Sequence, residues 1–319
     1  MIAHSLSEAS DFKPCALAIG NFDGVHRAHR HLLRATAQSA DAAGLRPAVL
    51  MFDPHPACVV APERAPRLLT SLEERCRLIE GQGIRNVLIQ PFTAELSRLT
   101  PEEFATQFLR EGLGARYVIV GENFRFGCKQ AGDTNTLKEL GARLGFEVRL
   151  IETVRWRGRR VSSGEVRKLV AAGDVGIAGR LLERPYSISG EIVRGHGVGS
   201  KQTVPTLNLR TEAQVIPARG VYITRTSEIS GARQWNSITN IGYRPTFGND
   251  SGLTIETFLL DPLEGATPEQ IRLEFLRRVR DERKFESPEA LKAQILRDVG
   301  RANAYFRRLK RVMSRPSRA

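Results

Sequence analysis

The chain has 319 residues, 41% of them hydrophobic, and a net charge of +13 at pH 7. This length exceeds that of one compact domain of ordinary size and is sufficient for two domains, each with its own core. No apolar run approaches the ~20 residues that a membrane helix needs, and the first residues show no secretory signal. We therefore expect a cytoplasmic protein without a membrane partner.

The positive charge is concentrated near the end of the chain. Residues 301–319 hold seven basic residues and no acidic one. Such terminal runs are usually solvated and disordered. We therefore expect residues 307–319 to form a disordered basic tail, and we do not expect nucleic acid as a partner.

The first half of the sequence alternates between strand-like and helix-like segments. The strand-like runs lie at 16–19, 48–52, 86–89, 117–120 and 147–151. Amphipathic patterns typical of helices lie near 29–43, 72–82, 102–111 and 134–144. Strands that alternate with helices predict a Rossmann-like α/β domain, in which helices cover both faces of a parallel sheet. Ligands of such sheets bind at the carboxyl ends of the strands.

The pattern changes near residue 184. Beyond it lie short strand-like runs separated by Gly-containing turns, at 186–193, 220–225, 237–241 and 253–260. Frequent turns between short strands predict an antiparallel β-barrel or sandwich. A helix is expected after the strands, near 288–305. The sequence therefore predicts domains at 1–184 and 185–306, followed by the tail at 307–319.

A strand, a turn and a helix follow one another in the segment CALAIGNFDGVHRAHRHLLRAT, which begins at Cys15. A helix that begins at such a turn offers unpaired backbone N–H groups and a partial positive charge to a phosphate. His26 and His29 are three residues apart and share one face of the helix. Two imidazoles there can donate to phosphoryl oxygens and stabilise charge in a transition state. Two surface histidines on a helix are the simpler interpretation of this spacing alone.

Four phrases, in order, carry a resemblance to a known family. They are GNFDGVHRAH from Gly20, FDPHP from Phe52, GENFRFG from Gly121 and VSSGEVR from Val161. The first resembles the HxGH motif of the nucleotidyltransferase superfamily in its flavin-synthesising branch, and the last resembles the ISSTxxR motif. The resemblance implies a domain that transfers the adenylyl group of ATP to FMN and so makes FAD.

This resemblance implies roles for single residues. His26 and His29 would bind the triphosphate and act in catalysis. Residues that would bind ATP are Gly20, Asn21, Phe22, Asp23, Asn123, Ser163 and Arg167. Phe52, Asp53 and Pro54 would lie beside the flavin. The nucleophile would be an FMN phosphate oxygen, which is already anionic, so positioning and charge stabilisation suffice without a general base.

The second half resembles the riboflavin kinase barrel. The matching phrases include GEIVRGHGVG at 190–199, VPTLNL at 204–209, TNIGYRPTFG at 239–248 and VRDERKF at 279–285. In this order the two halves resemble the bifunctional prokaryotic FAD synthetases. The resemblance implies that riboflavin is phosphorylated to FMN before FMN is converted to FAD, with ATP as the co-substrate of both steps.

The kinase resemblance also implies roles for residues. Loop glycines that would bind ATP are Gly195, Gly197 and Gly199. Thr206 and Asn208 lie two positions apart, on one side of a strand, and their neutral oxygens would bind Mg²⁺ together with ATP oxygens and water. Glu256 would be the base for the neutral ribityl hydroxyl, and Arg280 would contact the flavin phosphate. By themselves, these features are also typical of a β-turn, a strand and solvated charged side chains.

Several positions depart from the family patterns. Ala28 stands at the glycine of HxGH and Gly164 at the threonine of ISST. In the barrel, Phe258 stands in place of a histidine, and Ser200 and Thr203 in place of an arginine and a glycine. One alternative is therefore a riboflavin kinase with a weakened adenylyltransferase domain. A second is a flavin-binding regulator whose tail contacts nucleic acid, although binding alone needs neither the histidine pair nor a catalytic base.

Overall fold

A computed structural model describes residues 1–193, 206–243 and 252–313. The chain divides into two compact units, Met1–Glu165 and Val166–Ala319. In the described ranges, no helix combines the length and the apolar character needed to cross a bilayer.

The first unit is built on a six-stranded sheet. Its strands are β1 (Ile2–Ala3), β2 (Cys15–Ile19), β3 (Arg46–Asp53), β4 (Asn86–Pro91), β5 (Ala115–Gly121) and β6 (Glu147–Ile151). Their order is β1-β4-β3-β2-β5-β6, and all neighbours are parallel. The prediction of a parallel sheet is confirmed. The chain runs outward from β2 in one direction and from β5 in the other, so a crevice is expected where these two strands end.

Helices cover both faces of this sheet. They are α1 (Arg27–Ala43), α2 (Pro56–Val60), α3 (Leu72–Glu80), α4 (Pro101–Phe104) with its π-helical continuation Ala105–Gly112, and α5 (Thr134–Leu144). Side chains of β2 alternate between two cores, because Leu17 and Ile19 belong to one and Ala16 and Ala18 to the other. A short hairpin that the sequence did not predict, β7 (Arg155–Trp156) and β8 (Arg159–Arg160), follows the sheet.

Two helices follow the hairpin along the chain: α6 (Ser163–Ala172) and α7 (Val175–Leu182). The division between the compact units falls within α6, at Glu165 and Val166. Within the second unit, α7 packs against the strands at 186–193 and 270–280. The domain boundary near residue 184 stays a prediction.

The second unit contains a closed antiparallel barrel. Its strands are β9 (Tyr186–Val193), β10 (Thr206–Arg210), β11 (Gly220–Glu228), β12 (Gln234–Tyr243), β13 (Leu253–Leu259) and β14 (Gln270–Arg280). They follow the order β10-β13-β12-β11-β14-β9, and β9 pairs with β10 to close the barrel. The predicted antiparallel β-architecture is confirmed. Strand β14 was not predicted, although the alternation of Ile271, Leu273 and Phe275 is the signal that marks it.

Helix α8 (Pro288–Met313) packs on the outside of the barrel. Its Ala302 and Phe306 form a buried cluster with Val221, Ile223 and Ile238 of β11 and β12. The expected C-terminal helix is therefore present and longer than predicted. Residues 307–313 are helical, which differs from the expected disordered tail, and Leu309 packs against the same buried cluster. Residues 314–319 lie outside the described ranges.

Candidate active sites

A cleft of about 320 Å³ opens at the carboxyl ends of β2 and β5 in the first unit. The β2–α1 turn, the segments after β5 and β6, and the start of α6 line it. It brings together six of the residues predicted from the sequence: Gly20, Phe22, His26, His29, Asn123 and Ser163. Ala28, at the position where the motif has glycine, also lines the cleft. The switch point of the sheet therefore carries a pocket of the size expected for a small ligand.

The β2–α1 turn has an unusual backbone. Phe22 has φ +50° and Val25 has φ +36°, in the left-handed region that non-glycine residues rarely adopt. At the end of this turn His26 caps α1, since its Nδ1 accepts a hydrogen bond from the backbone N–H of His29 at 3.3 Å. In a neutral imidazole whose Nδ1 accepts, the proton is on Nε2. In this tautomer Nε2–H is the ring group of His26 that can donate a hydrogen bond.

The rings of His26 and His29 stack, with centroids 3.7 Å apart and planes 12° apart. Burial, and secondarily the neighbouring His26, lower the pKa of His29 well below 6.5. The Nδ1 atom of His29 is buried and has no hydrogen-bond partner among the described residues. His29 is therefore neutral at pH 7 and offers one N–H rather than a full positive charge.

Asp23 anchors the turn to a distant segment. Its Oδ1 accepts hydrogen bonds from the backbone N–H groups of Leu69 at 2.9 Å and Thr70 at 3.2 Å, and from the Thr70 hydroxyl. The Thr70 hydroxyl oxygen accepts in turn from the N–H of Gly24 at 3.0 Å. Asp23 is 2% exposed and does not line the cleft. Its contacts give it a structural role in holding the turn.

The start of α6 is fixed to the same turn. The Ser163 hydroxyl donates to the backbone carbonyl of Asp23 at 2.9 Å. The Ser162 hydroxyl oxygen accepts from the N–H of Glu165 at 3.2 Å and so caps α6. The Glu165 carboxylate pairs with Arg159 at 3.0 Å. Arg167, another predicted ATP ligand, lies one turn further along α6, in the second unit.

A buried arginine connects the turn after β2 with the end of β3. Arg75 of α3 is 1% exposed, and it donates to the backbone carbonyl of Asn21 at 3.2 Å. Its other nitrogen lies 3.8 Å from Oδ1 of Asp53. The Asn21 amide contacts Nε2 of His55 at 3.0 Å. The sequence analysis did not single out Arg75 or His55, although a charged residue on the apolar face of α3 is a detectable signal.

An aromatic series runs from the predicted flavin segment toward the cleft. Phe52 contacts Phe104 with ring centroids 6.4 Å apart, and Phe104 contacts Phe126 at 5.9 Å. Phe126 stacks on Phe124 at 5.5 Å, and Phe124 lines the cleft. Phe52 thus lies outside the lining of the cleft but is connected to it through packed rings. Pro54 is exposed.

Polar residues that the sequence analysis missed hold Asn123. The amide of Asn123 donates to the Thr153 hydroxyl oxygen at 3.4 Å, and that hydroxyl donates to Glu122. The hydrogen bond from Thr153 lowers the pKa of Glu122, so this carboxylate is ionised. All three residues line the cleft.

In the barrel, strand register gathers the predicted kinase residues. Glu256 of β13 pairs with Asn208 of β10 on one side and with Asn240 of β12 on the other. Paired residues of antiparallel strands share a face. Ile255 and Thr257 are buried, whereas Glu256 is half-buried. Glu256 therefore points away from the barrel interior, between two asparagines, of which Asn240 was not predicted.

Arg280, at the end of β14, is held by α8. Its Nε donates to Oδ2 of Asp298 at 2.8 Å, and Asp298 is 2% exposed. The Gln294 amide donates to the second oxygen of Asp298, also at 2.8 Å. The register pairs Arg280 with Val221, and Val221 with Asn240. Arg280 therefore shares the outer barrel face with Glu256, two strands beyond Asn240.

The remaining predicted kinase residues divide into two groups. Thr206 is exposed at the start of β10, opposite Phe258 of β13. The loop residues lie outside the described ranges: Gly195, Gly197, Gly199, Ser200 and Thr203. In the part of the chain that the structure describes, no group of three or more His, Cys, Asp or Glu side chains could hold a metal ion.

Comparisons with known proteins agree with the two-unit division. A family model described as FAD synthetase matches residues 8–165, and one described as riboflavin kinase matches residues 182–306. The bifunctional riboflavin kinase/FMN adenylyltransferase of Pseudomonas fluorescens is 36% identical over 92% of this chain and 94% of its own length. The protein of the same name from Bacillus subtilis is 31% identical over 92% and 93%.

One solved structure is similar over almost the whole chain. It is described as a macrolide-efflux protein from Streptococcus pneumoniae, with a TM-score of 0.83 and 24% sequence identity. The match covers 93% of this chain and 96% of that one. At this identity the likeness shows a shared fold.

Proposed function

Since this chain belongs to the family of bifunctional riboflavin kinase/FMN adenylyltransferases, we propose that the cleft of the first unit and the outer face of the barrel each carry one of its two reactions. The chain phosphorylates riboflavin to FMN and adenylylates FMN to FAD, using ATP in both steps. The observation that carries the assignment is the cleft at the switch point, which gathers His26, His29, Asn123 and Ser163.

In the cleft, the protein supplies donors rather than a base. The FMN phosphate oxygen forms a bond to the α-phosphorus of ATP, and the bond from that phosphorus to pyrophosphate breaks. We assign the Nε2–H of His26 and the N–H of neutral His29 to phosphoryl oxygens, where negative charge grows in the transition state. The N-termini of α1 and α6 add partial positive charge at the same place.

The flavin is assigned to the aromatic side of the cleft. Phe52 and Phe124, the partly exposed ends of the packed series, offer ring faces and edges on which an isoalloxazine can stack, and the buried Phe104 and Phe126 support them. Arg75 holds both the Asn21 backbone and Asp53, and so supports the turn and the flavin segment together. We propose that Arg75 positions these segments and does not touch the substrates.

On the barrel, Glu256 is assigned as the general base. It removes the proton of the ribityl hydroxyl while that oxygen attacks the γ-phosphorus of ATP and ADP leaves. Arg280 is assigned to the phosphate that is transferred, because it lies on the same barrel face. Asp298 holds the Arg280 guanidinium at 2.8 Å and acts as its positioning residue.

We assign Mg²⁺ to Thr206 and Asn208. Both offer neutral oxygens, lie two positions apart on one side of β10, and are not enclosed by the barrel. Since no cluster of ionisable ligands occurs in the described ranges, the ion would take its remaining ligands from ATP and water. When bound, Mg²⁺ neutralises phosphate charge.

We propose that the kinase unit begins near residue 185. A fragment 185–319 should then phosphorylate riboflavin by itself. Helix α7 buries Val175, Ala178, Leu181 and Leu182, so a fragment 166–319 is the matched comparison. If only the longer fragment is active, residues 166–184 belong to the kinase unit and the boundary lies before α7. We also propose a cytoplasmic location, which cell fractionation would test.

The decisive experiment incubates the purified protein with riboflavin, ATP and Mg²⁺ and separates the flavins by chromatography. We expect FMN to appear first and FAD to follow. FMN alone would favour a kinase with a weakened adenylyltransferase domain, as Ala28 and Gly164 suggest. Unchanged riboflavin would favour a flavin-binding regulator and contradict the proposal.

A further inference from the structure

A second concavity, of about 360 Å³, lies between the barrel and α8 in the second unit. Four arginines line it: Arg277, Arg278, Arg301 and Arg308. The aromatic Tyr305 and the apolar Ile223 and Val279 complete most of the lining. Among the described residues that line this arginine groove, none is acidic.

The charge of the groove is largely uncompensated. Arg278 pairs with Asp281 at 3.2 Å. In residues 1–193, 206–243 and 252–313, the other three arginines make no ion pair: Arg277, Arg301 and Arg308. Like charges gathered in one concavity repel one another, and their field concentrates anions from solution. An anionic ligand in the groove would relieve this repulsion.

The walls of the groove are regular secondary structure. Arg301, Tyr305 and Arg308 are four and three positions apart, so they lie on one face of α8. Arg277 of β14 faces them from the barrel and pairs in register with Ile223 of β11. Guanidinium groups therefore come from both walls, and the Tyr305 ring lies between the two helical arginines. Regular secondary structure on both walls therefore fixes the backbone positions from which these side chains reach the groove.

The groove is separate from the proposed kinase site. Glu256 lies on β13, and the strands from there run in the order β13-β12-β11-β14. Helix α8 packs over β11 and β12 through Val221, Ile223 and Ile238. The helix therefore covers the two strands that lie between β13, which carries Glu256, and β14, which carries Arg277. Neither Glu256 nor Arg280 lines the groove.

We propose that the arginine groove binds a diphosphate group, as part of a nucleoside diphosphate. Arginine forks match phosphate oxygens in pairs, and diphosphate places two such groups next to each other. The Tyr305 ring can stack on a base, which favours a nucleotide over inorganic pyrophosphate. The volume is that of a pocket for a small molecule, whereas a nucleic-acid strand would follow an extended basic surface.

The test removes two groove charges from the full-length protein. In Arg301→Gln/Arg308→Gln both helical arginines lose their charge. The matched control, Arg307→Gln/Arg311→Gln, removes the same charge from exposed positions of α8 that do not line the groove. Equilibrium dialysis at fixed ionic strength measures the stoichiometry and affinity of ADP and of inorganic pyrophosphate. Melting temperatures and riboflavin kinase activity check that each variant is folded.

We expect the wild type and the control to bind one more ADP than the groove variant, or to bind it at least about tenfold more tightly at that site. ADP should also protect Arg301 and Arg308 from phenylglyoxal. Pyrophosphate bound as tightly as ADP would support the diphosphate site with the free anion as its ligand. Equal binding by all three proteins, or equal losses in both variants, would overturn the proposal. Groove-dependent binding of a single-stranded oligonucleotide in preference to ADP would overturn it in favour of nucleic acid.

Discussion

The two candidate sites hold their side chains in different ways. In the cleft of the first unit, the side chains stand on loops and helix starts that hydrogen bonds tie to each other, as with Ser163 to Asp23 and Asp23 to Thr70. On the barrel, Asn208, Glu256 and Asn240 stand on neighbouring strands, and strand pairing alone sets their spacing.

Because of this difference, the catalytic role of a residue can be tested apart from its structural role on the barrel, but not in the cleft. A barrel residue such as Glu256 can be changed with little cost to the fold, because the backbone ladder on both sides of it remains. In the cleft, several residues near the ligand site also hold the loops together. A substitution there tests a structural role and a chemical role at the same time, so stability has to be measured beside activity.

The largest effect is expected from Glu256→Gln. The change keeps the shape of the side chain and removes the base, which should lower FMN formation by ~10²–10⁴-fold. Formation of FAD from supplied FMN should be unchanged. Steady-state rates of both reactions on the purified variant measure the contrast. Equal loss of both activities would contradict the separation of the two sites.

The reverse result is expected from His26→Ala/His29→Ala. Two donors to phosphoryl oxygens are lost, and one such donor is typically worth ~10²–10³-fold, so FAD formation should fall by at least that factor. Riboflavin phosphorylation should stay at the wild-type rate. His26 also caps α1, so His26→Asn is the control that keeps a capping side chain. Normal FAD formation by the double variant would refute the assigned role.

The sequence predicted the parts of the molecule that depend on local patterns. The alternation of strands and helices predicted the parallel sheet. The spacing of His26 and His29 predicted one shared helical face, whereas His26 is the N-cap of α1 and its ring stacks on that of His29. The Thr206 and Asn208 spacing likewise follows from the period of a strand. These predictions depend only on residues that are close together in the sequence.

Contacts between distant segments could not be predicted in this way. Asp23 matched a nucleotide-binding motif, but its carboxylate accepts hydrogen bonds from residues 46 and 47 positions away. Asp298 similarly meets Arg280 only because α8 folds back onto β14. Resemblance to a motif identifies residues that are important for function. The fold determines whether such a residue contacts the ligand directly or positions another residue that contacts it.

Asp23→Ala tests this distinction with an intermediate effect. It leaves the N–H groups of Leu69 and Thr70 without their acceptor, which should lower the free energy of unfolding of the first unit by ~1–3 kcal/mol. Denaturant unfolding measures this change, and FAD formation should fall together with it. Asp41→Ala, at an exposed position of α1, is the control and should change neither. Unchanged stability with a higher KM for ATP would instead indicate a direct ligand.

The smallest effect is expected from Gly164→Thr, which restores the hydroxyl of the family motif. Nothing in the backbone requires glycine there, because an added Cβ would meet only the Ser162 hydroxyl oxygen, at 3.9 Å. A hydroxyl that donates to a charged phosphate is worth ~1.5–3 kcal/mol, or roughly 10- to 100-fold if the contact forms mainly in the transition state. Water that occupies the place of the side chain already recovers part of this, so we expect kcat/KM for FMN adenylylation to rise by up to about tenfold. Riboflavin phosphorylation should not change.

Gly164→Ala separates the hydroxyl from the backbone in this experiment. Both substitutions make the first turn of α6 less flexible than glycine does, but only threonine adds a donor beside Ser162 and Ser163 at the edge of the cleft. If alanine raises the adenylylation rate as much as threonine, the gain comes from a stiffer helix start and the missing hydroxyl is irrelevant. If threonine leaves the rate unchanged in a well-folded protein, the Ser163 and histidine donors already saturate the phosphates, and glycine at this position is neutral.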